Sequence, residues 1–262
     1  MSYENIELII EERRAELILD RPDVRNAMSP GMGRDIQAAV AMLNERDELR
    51  SVVIHGRGKS FSAGGDFDLL EARTNDEPDR NRRAMRAFYL SFLSIRELRV
   101  PTIAAIHGHA IGAGLCFALG CDIRLAAAGT KLGLTFPRVG LHPGMGATFF
   151  MPRAVGQAHA AELMLTGRVF DAEHAERIGL VARVVPPDDL LAAARETAGE
   201  IAKNAPIAIE QLTATLRHGG HRTLDETLDR EALCQAVDYT TGDMKEAIDA
   251  FRNKRAPDFE GR

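Results

Sequence analysis

The stretch HAIGAGLCFALGCDI, His109 to Ile123, sets Gly112, Ala113 and Gly114 between an apolar run and a segment of helical spacing. A strand that ends in residues with almost no side chain and passes straight into a helix leaves the helix's first N–H groups unpaired, at the positive end of its dipole. Such a turn suits an anion or an oxyanion. SVVIHGRGKSFSAGGDF, Ser51 to Phe67, repeats the logic: a strand leads through Ser62, Ala63, Gly64, Gly65 and Asp66 to a second helix start. Two such turns on one core can aim two backbone N–H groups at a single oxygen, the geometry that stabilises an enolate or a tetrahedral adduct. Close packing explains either turn alone equally well. The pair is what points to chemistry.

Other chemistries find less support. The glycine pattern fails at Phe117, where a dinucleotide-binding GxGxxG needs its third glycine, and no GxSxG, P-loop or HExxH pattern occurs. His107 and His109 have no carboxylate or cysteine partner at ligand spacing and are expected to point opposite ways, so no metal site is expected. Cys116, Cys121 and Cys234 are odd in number, lack redox spacing and read as free thiols in a reducing compartment. A net charge of −5 with scattered Lys and Arg offers no basic field for nucleic acid. No apolar run approaches membrane-spanning length and the opening residues lack a signal pattern, so the expectation is a soluble cytoplasmic protein without a membrane partner.

The elements that must position the two turns follow from the patterning. With 262 residues, 45% of them hydrophobic, the chain can bury one sizeable core. Ile6–Ile10 and Ala15–Asp20 read as paired strands, and SVVIHG and PTIAAIHG as buried ones. Helices are expected over Pro30–Arg46, with Ser29 as cap and Pro30 at the first helical position, and over Asp79–Leu98. Thr74–Arg83 is polar enough to be a mobile loop. After Val185 only helical segments follow, divided by Pro or Gly. The fold class is therefore α/β, with residues 1–199 as core and 200–262 as a helical region.

RPDVRNAMS (Arg21–Ser29), GKSFSAGGDF (Gly58–Phe67), PTIAAIHGHAIGAGLCFALGCDIRLAA (Pro101–Ala127), VGLHPGMGATFFMPRAVG (Val139–Gly156), AELMLTGRVFDAEHAERIGLV (Ala161–Val181) and FRNKRAPDF (Phe251–Phe259) resemble, in order and over nearly the whole chain, the signatures of the crotonase superfamily, the enoyl-CoA hydratase/isomerase family. The resemblance implies a spiral of ββα turns forming two roughly perpendicular sheets, and a C-terminal helical region that builds homotrimers and commonly hexamers. It implies an acyl-CoA thioester as ligand, with coenzyme A part of the substrate and no separate cofactor. The thioester carbonyl would sit between the N–H groups of Gly65 and Ala113. Arg25 would lie near the CoA phosphates, and the backbone from Ala63 through Asp66 and Phe67 near the adenine. Phe251 and Lys254 would close the same site, within the chain or from a neighbouring subunit.

The sequence departs from the family pattern at the acid–base positions. The two hydratase glutamates fall on Cys116 and Phe136, and an aspartate used by some isomerase relatives falls on Gly144. Hydration needs one group to activate water and another to protonate the α-carbon; Phe does neither, and a thiol of ordinary pKa, about 8.5, is a poor substitute. Cys116 then reads as an apolar filler, Asp66 and Asp68 as helix caps, and His142 as either a loop histidine or a replacement base. Three readings follow: a lyase or isomerase with displaced catalytic groups, a decarboxylase that needs only enolate stabilisation, or a non-catalytic acyl-CoA binder.

Overall fold

The computed structural model describes residues 3–220 and 222–262. β1 (Ile6–Glu11) and β2 (Arg14–Leu19) form an antiparallel hairpin, followed by α1 (Pro30–Asn44) and β3 (Ser51–Gly56), which lies parallel to β2. α2 (Phe67–Arg73), α3 (Pro78–Leu93), β4 (Thr102–Ile106), β5 (His109–Ile111), α4 (Ala113–Gly120), β6 (Ile123–Ala127) and β7 (Lys131–Gly133) come next. Then follow α5 (Ala147–Thr166), β8 (Phe170–Asp171), α6 (Ala172–Arg177), β9 (Arg183–Val185), α7 (Leu190–Ala202), α8 (Pro206–His218), α9 (Leu224–Asp238) and α10 (Gly242–Arg252). One sheet has the order β1-β2-β3-β4-β6-β9 and the other β5-β7-β8. From β4 to β7 consecutive strands alternate between them, β4 and β6 entering the large sheet, β5 and β7 the small one.

The continuous apolar runs have a simple cause. Val52 and Ile54 of β3, with Ala104 and Ile106 of β4, face one core under α1 and α4, while Val53, Ile103 and Ala105 face a second core under α7. Side chains alternate faces with period two, so a strand covered on both sides must be apolar throughout. α7 runs through residue 200 and packs on the large sheet with Leu190, Ala194 and Ala198. Beyond it, α9 buries no residue within the chain.

Most expected elements are present, including the Ser29 cap, whose Oγ accepts the Met32 N–H at 3.2 Å. Three details differ. The helix expected over Asp79–Leu98 starts at Pro78 and ends at Leu93, where the backbone tightens into a 3₁₀ turn over Ser94–Glu97; Ser91 and Ser94 turn their hydroxyls back onto Phe88 and Ser91 carbonyls. The polar stretch Thr74–Arg83 is mostly α3. Its charges lie on the solvent face and pair locally, as Arg82 and Arg83 do with Asp79. His107 and His109 do not point apart, because Gly108, at φ +61°, breaks the strand between them. Both reach the same loop, His107 Nε2 to the Gly58 carbonyl and His109 Nδ1 to Ser60 Oγ.

Candidate active site

The two turns lie side by side because the small sheet is extended by two isolated bridges, Ser62 with Ala110 and Met28 with Gly65. Ser62 N–H donates to the His109 carbonyl and Ile111 N–H to the Ser62 carbonyl. Gly114 touches the same residue: a Cβ there would stand 2.7 Å from the Ser62 carbonyl oxygen. Gly64, at φ +102°, lets its backbone approach Ile111 and the Ala113 nitrogen, and Gly112 needs φ +54°. Close packing therefore does explain Gly64 and Gly114, and a left-handed backbone explains Gly112. Gly65 is the exception, for it has no positive φ and a Cβ there would meet only Leu70 Cδ2 at 4.0 Å.

The backbone around Gly65 is fixed from the 21–28 segment. Met28 N–H donates to the Gly64 carbonyl at 2.8 Å, and the Asp66 N–H donates to the Met28 carbonyl at 3.1 Å. These bonds use the atoms on either side of Gly65 and turn its own N–H the other way. Asn26 clamps the turn: wholly buried at φ +54°, its Nδ2 donates to the Arg57 and Ser60 carbonyls, its Oδ1 accepts from Arg21 N–H, and its carbonyl accepts Ser62 Oγ. Ala113 is the first residue of α4, so its N–H has no helical partner. Among the described residues neither the Gly65 nor the Ala113 N–H donates to a protein acceptor. Two unengaged donors thus stand on adjoining turns, and fixed donors of this kind stabilise a charged oxygen more than water does.

Cys116 lies one turn along α4, wholly buried, and burial pushes its thiol far above the ordinary range. The Phe136 ring reaches the other side of the turn, with Cζ 3.9 Å from where a Gly112 Cβ would be. His142 is exposed and its Nδ1 bonds the Pro143 carbonyl at 2.8 Å. A Cβ on Gly144 would overlap Tyr89, 2.6 Å from its Cζ. Both Asp66 oxygens are committed within the chain, Oδ1 capping Asp68 N–H and Oδ2 pairing with Arg21 Nη1 at 3.0 Å. Arg25 is exposed, has no ion-pair partner among the described residues, and through its carbonyl holds the Ala63 N–H at 2.9 Å. Ala63 and Phe67 stand exposed nearby on the same turn. Phe251 is 86% exposed; within one chain neither it nor Lys254 makes a hydrogen bond, ion pair or ring contact with Arg25 or the turns, among the described residues. Asn26 and Tyr89 are absent from the sequence-based site. Asn26 carries the weak signal of a residue type that tolerates the left-handed region, and Tyr89 that of a lone phenol in the Phe-rich run RAFYLSFL.

Two sheets joined through strand-to-helix turns are an architecture that this chain shares with proteins of known family. Residues 10–262 match the sequence model of the enoyl-CoA hydratase/isomerase family. A protein of Mycobacterium tuberculosis named "Probable enoyl-CoA hydratase" is 35% identical over the full length of both chains. A crotonyl-CoA hydratase of Syntrophomonas wolfei is also 35% identical, over 99% of each. The crystal structure of an enoyl-CoA hydratase from Bacillus anthracis superposes with a TM-score of 0.93 at 33% identity, covering 99% of this chain and 100% of that one. This chain belongs to the enoyl-CoA hydratase/isomerase family and has the crotonase fold.

Proposed function

We propose that this protein binds an acyl-CoA, holds the thioester oxygen between the Gly65 and Ala113 N–H groups, and stabilises its enolate without a pair of catalytic glutamates. The observation that carries the reading is the two unengaged backbone donors on adjoining turns, with Cys116 and Phe136 beside them in place of carboxylates. Arg25, exposed and unpaired beside Ala63, suits the CoA phosphates through its guanidinium fork. Decarboxylation of a malonyl-type thioester fits such a site, because loss of CO2 leaves the carbanion with no base required. The exposed apolar residues of α8–α10, including Leu224 at 75% and Leu228 at 53%, support a homotrimer or hexamer in which Phe251 and Lys254 reach a neighbour's CoA site.

Calorimetry with butyryl-CoA and butyrate tests the ligand. The thioester is expected to bind and the free acid not; equal affinity for both overturns the assigned site. Hydration of crotonyl-CoA, followed as loss of the enoyl absorbance, is expected at the rate of a buffer blank. Turnover of about 10 per second, the middle of the enzyme range, would restore the hydratase reading and send the search for displaced groups to His142.

A further inference from the structure

One polar side chain reaches the space left by the missing carboxylates. Tyr89 projects from α3 with its ring edge-on to Phe88, and its hydroxyl makes no hydrogen bond among the described residues. The hydroxyl end occupies the volume that any side chain at position 144 would need. Its titratable neighbour is the uncharged Cys116 thiol, one turn along α4 from the Ala113 N–H. A buried or half-buried phenol ordinarily finds a partner. An unengaged one between Gly144 and Cys116 is placed for a group that arrives with the ligand.

We propose that the Tyr89 hydroxyl is the proton-transfer group of this site, giving its proton to the α-carbon of the enolate held by Gly65 and Ala113. The step balances as follows: the electron pair at the α-carbon takes the Oη proton, a C–H bond forms, the O–H bond breaks, and the thioester carbonyl reforms. Tyr89 is left as phenolate and recovers a proton from water. Burial, with a smaller contribution from Cys116, pushes the hydroxyl above the ordinary phenol value, so near neutral pH it is a donor and not a base. The titratable group that acts on it is the Cys116 thiol on α4; His142, in the loop of Gly144, is exposed and turned onto the Pro143 carbonyl. A site with an acid and no base serves enolates that form by loss of a carboxylate.

The inference rests on the acyl-CoA reading, and microscopic reversibility gives it a test that needs no knowledge of the natural substrate. The phenolate form must remove an α-proton from a bound saturated thioester. In D2O, α-deuteration of butyryl-CoA followed by NMR is expected to exceed the buffer rate. It should rise about tenfold per unit of pD until Tyr89 itself is ionised. Tyr89→Phe is expected to lower this exchange by about 10²-fold or more, with butyryl-CoA affinity within about threefold of the original protein. Gly144→Ala, which displaces the hydroxyl, should reduce exchange in the same way. Binding without exchange above buffer, or exchange undiminished in Tyr89→Phe, overturns the role of Tyr89 and leaves the acyl-CoA reading intact. Absence of butyryl-CoA binding overturns both. Should the variants fail to fold, the pD profile of the unmodified protein decides, and a flat profile refutes the proposal.

Discussion

A methyl group added at Gly65 has room, since only Leu70 Cδ2 lies within 4.0 Å, whereas one at Gly114 collides with the Ser62 carbonyl, hydroxyl and Cβ at 2.7–2.9 Å. The two alanine variants should therefore separate folding from binding. Gly114→Ala is expected to destabilise the protein by about 1–3 kcal/mol through overpacking. Gly65→Ala is expected to leave stability unchanged or raise it by about 0.5 kcal/mol, through a less flexible unfolded chain. It should weaken butyryl-CoA binding by about tenfold or more, because in the proposed site the thioester must approach the Gly65 N–H to hydrogen-bond distance. Urea unfolding and calorimetry on both variants check this; a Gly65→Ala protein that binds normally would remove the reason for a glycine at that site. At this scale the sequence was legible where the backbone announced itself. The small residues marked both turns, but Asn26 and Tyr89 act through contacts with Ser60 and Gly144, far away along the chain, and no local pattern carries that information.

Among the helices beyond α7, α8 is fastened to the sheet body through Arg217, with Glu210 forked on Arg99 beside it. The Arg217 guanidinium is forked on Asp122, with Nε 2.8 Å from Oδ1, and donates to the carbonyls of Arg96, Leu98 and Val100. Asp122 in turn accepts the Thr102 N–H and hydroxyl at 2.8 Å. Burial pushes the Asp122 carboxyl up, but Arg217 and Thr102 outweigh it and hold it below the ordinary carboxylate range. Its stabilising contribution is thus complete above the unfolded value of about 3.9 and is lost as pH falls through the lowered folded value. Arg217→Met should cost about 3 kcal/mol or more, since it strands a buried charge, and should flatten the acid side of the stability profile measured by urea unfolding. A loss under about 0.5 kcal/mol, the usual scale for surface positions, would show that the fork does not fasten α8. The expected helices after Val185 were readable from their Pro and Gly boundaries. The end of α3 was not, because the 3₁₀ turn at Ser94–Glu97 continues the same apolar spacing while its serines redirect the backbone.

For the molecule as a whole, exposed large apolar side chains recur along the last three helices. Leu212, Leu216, Leu224, Leu228, Leu233 and Val237 are exposed, and a groove of about 510 Å³ between α5 and α8 is lined by Phe149, Phe150, Leu212 and Leu216. Apolar side chains exposed along three consecutive helices suit the assembly surface proposed above. Light scattering at micromolar concentration is expected to report a trimer or hexamer, and a monomer would refute the role assigned to α8–α10. The overall architecture was visible in the order of the signatures, whereas the join between sheet and helical region was not: α7 reads as one more helix of the series, yet it roofs the second core. The Gly65 and Ala113 donors belong to the peptide chain itself, held by Met28, Ser62 and the start of α4. In the proposed site a substitution at Cys116 or Phe136 changes the acid–base groups without removing the peptide donors themselves, so descendants of this fold can gain new reactions by single substitutions while keeping the same grip on the ligand's oxygen.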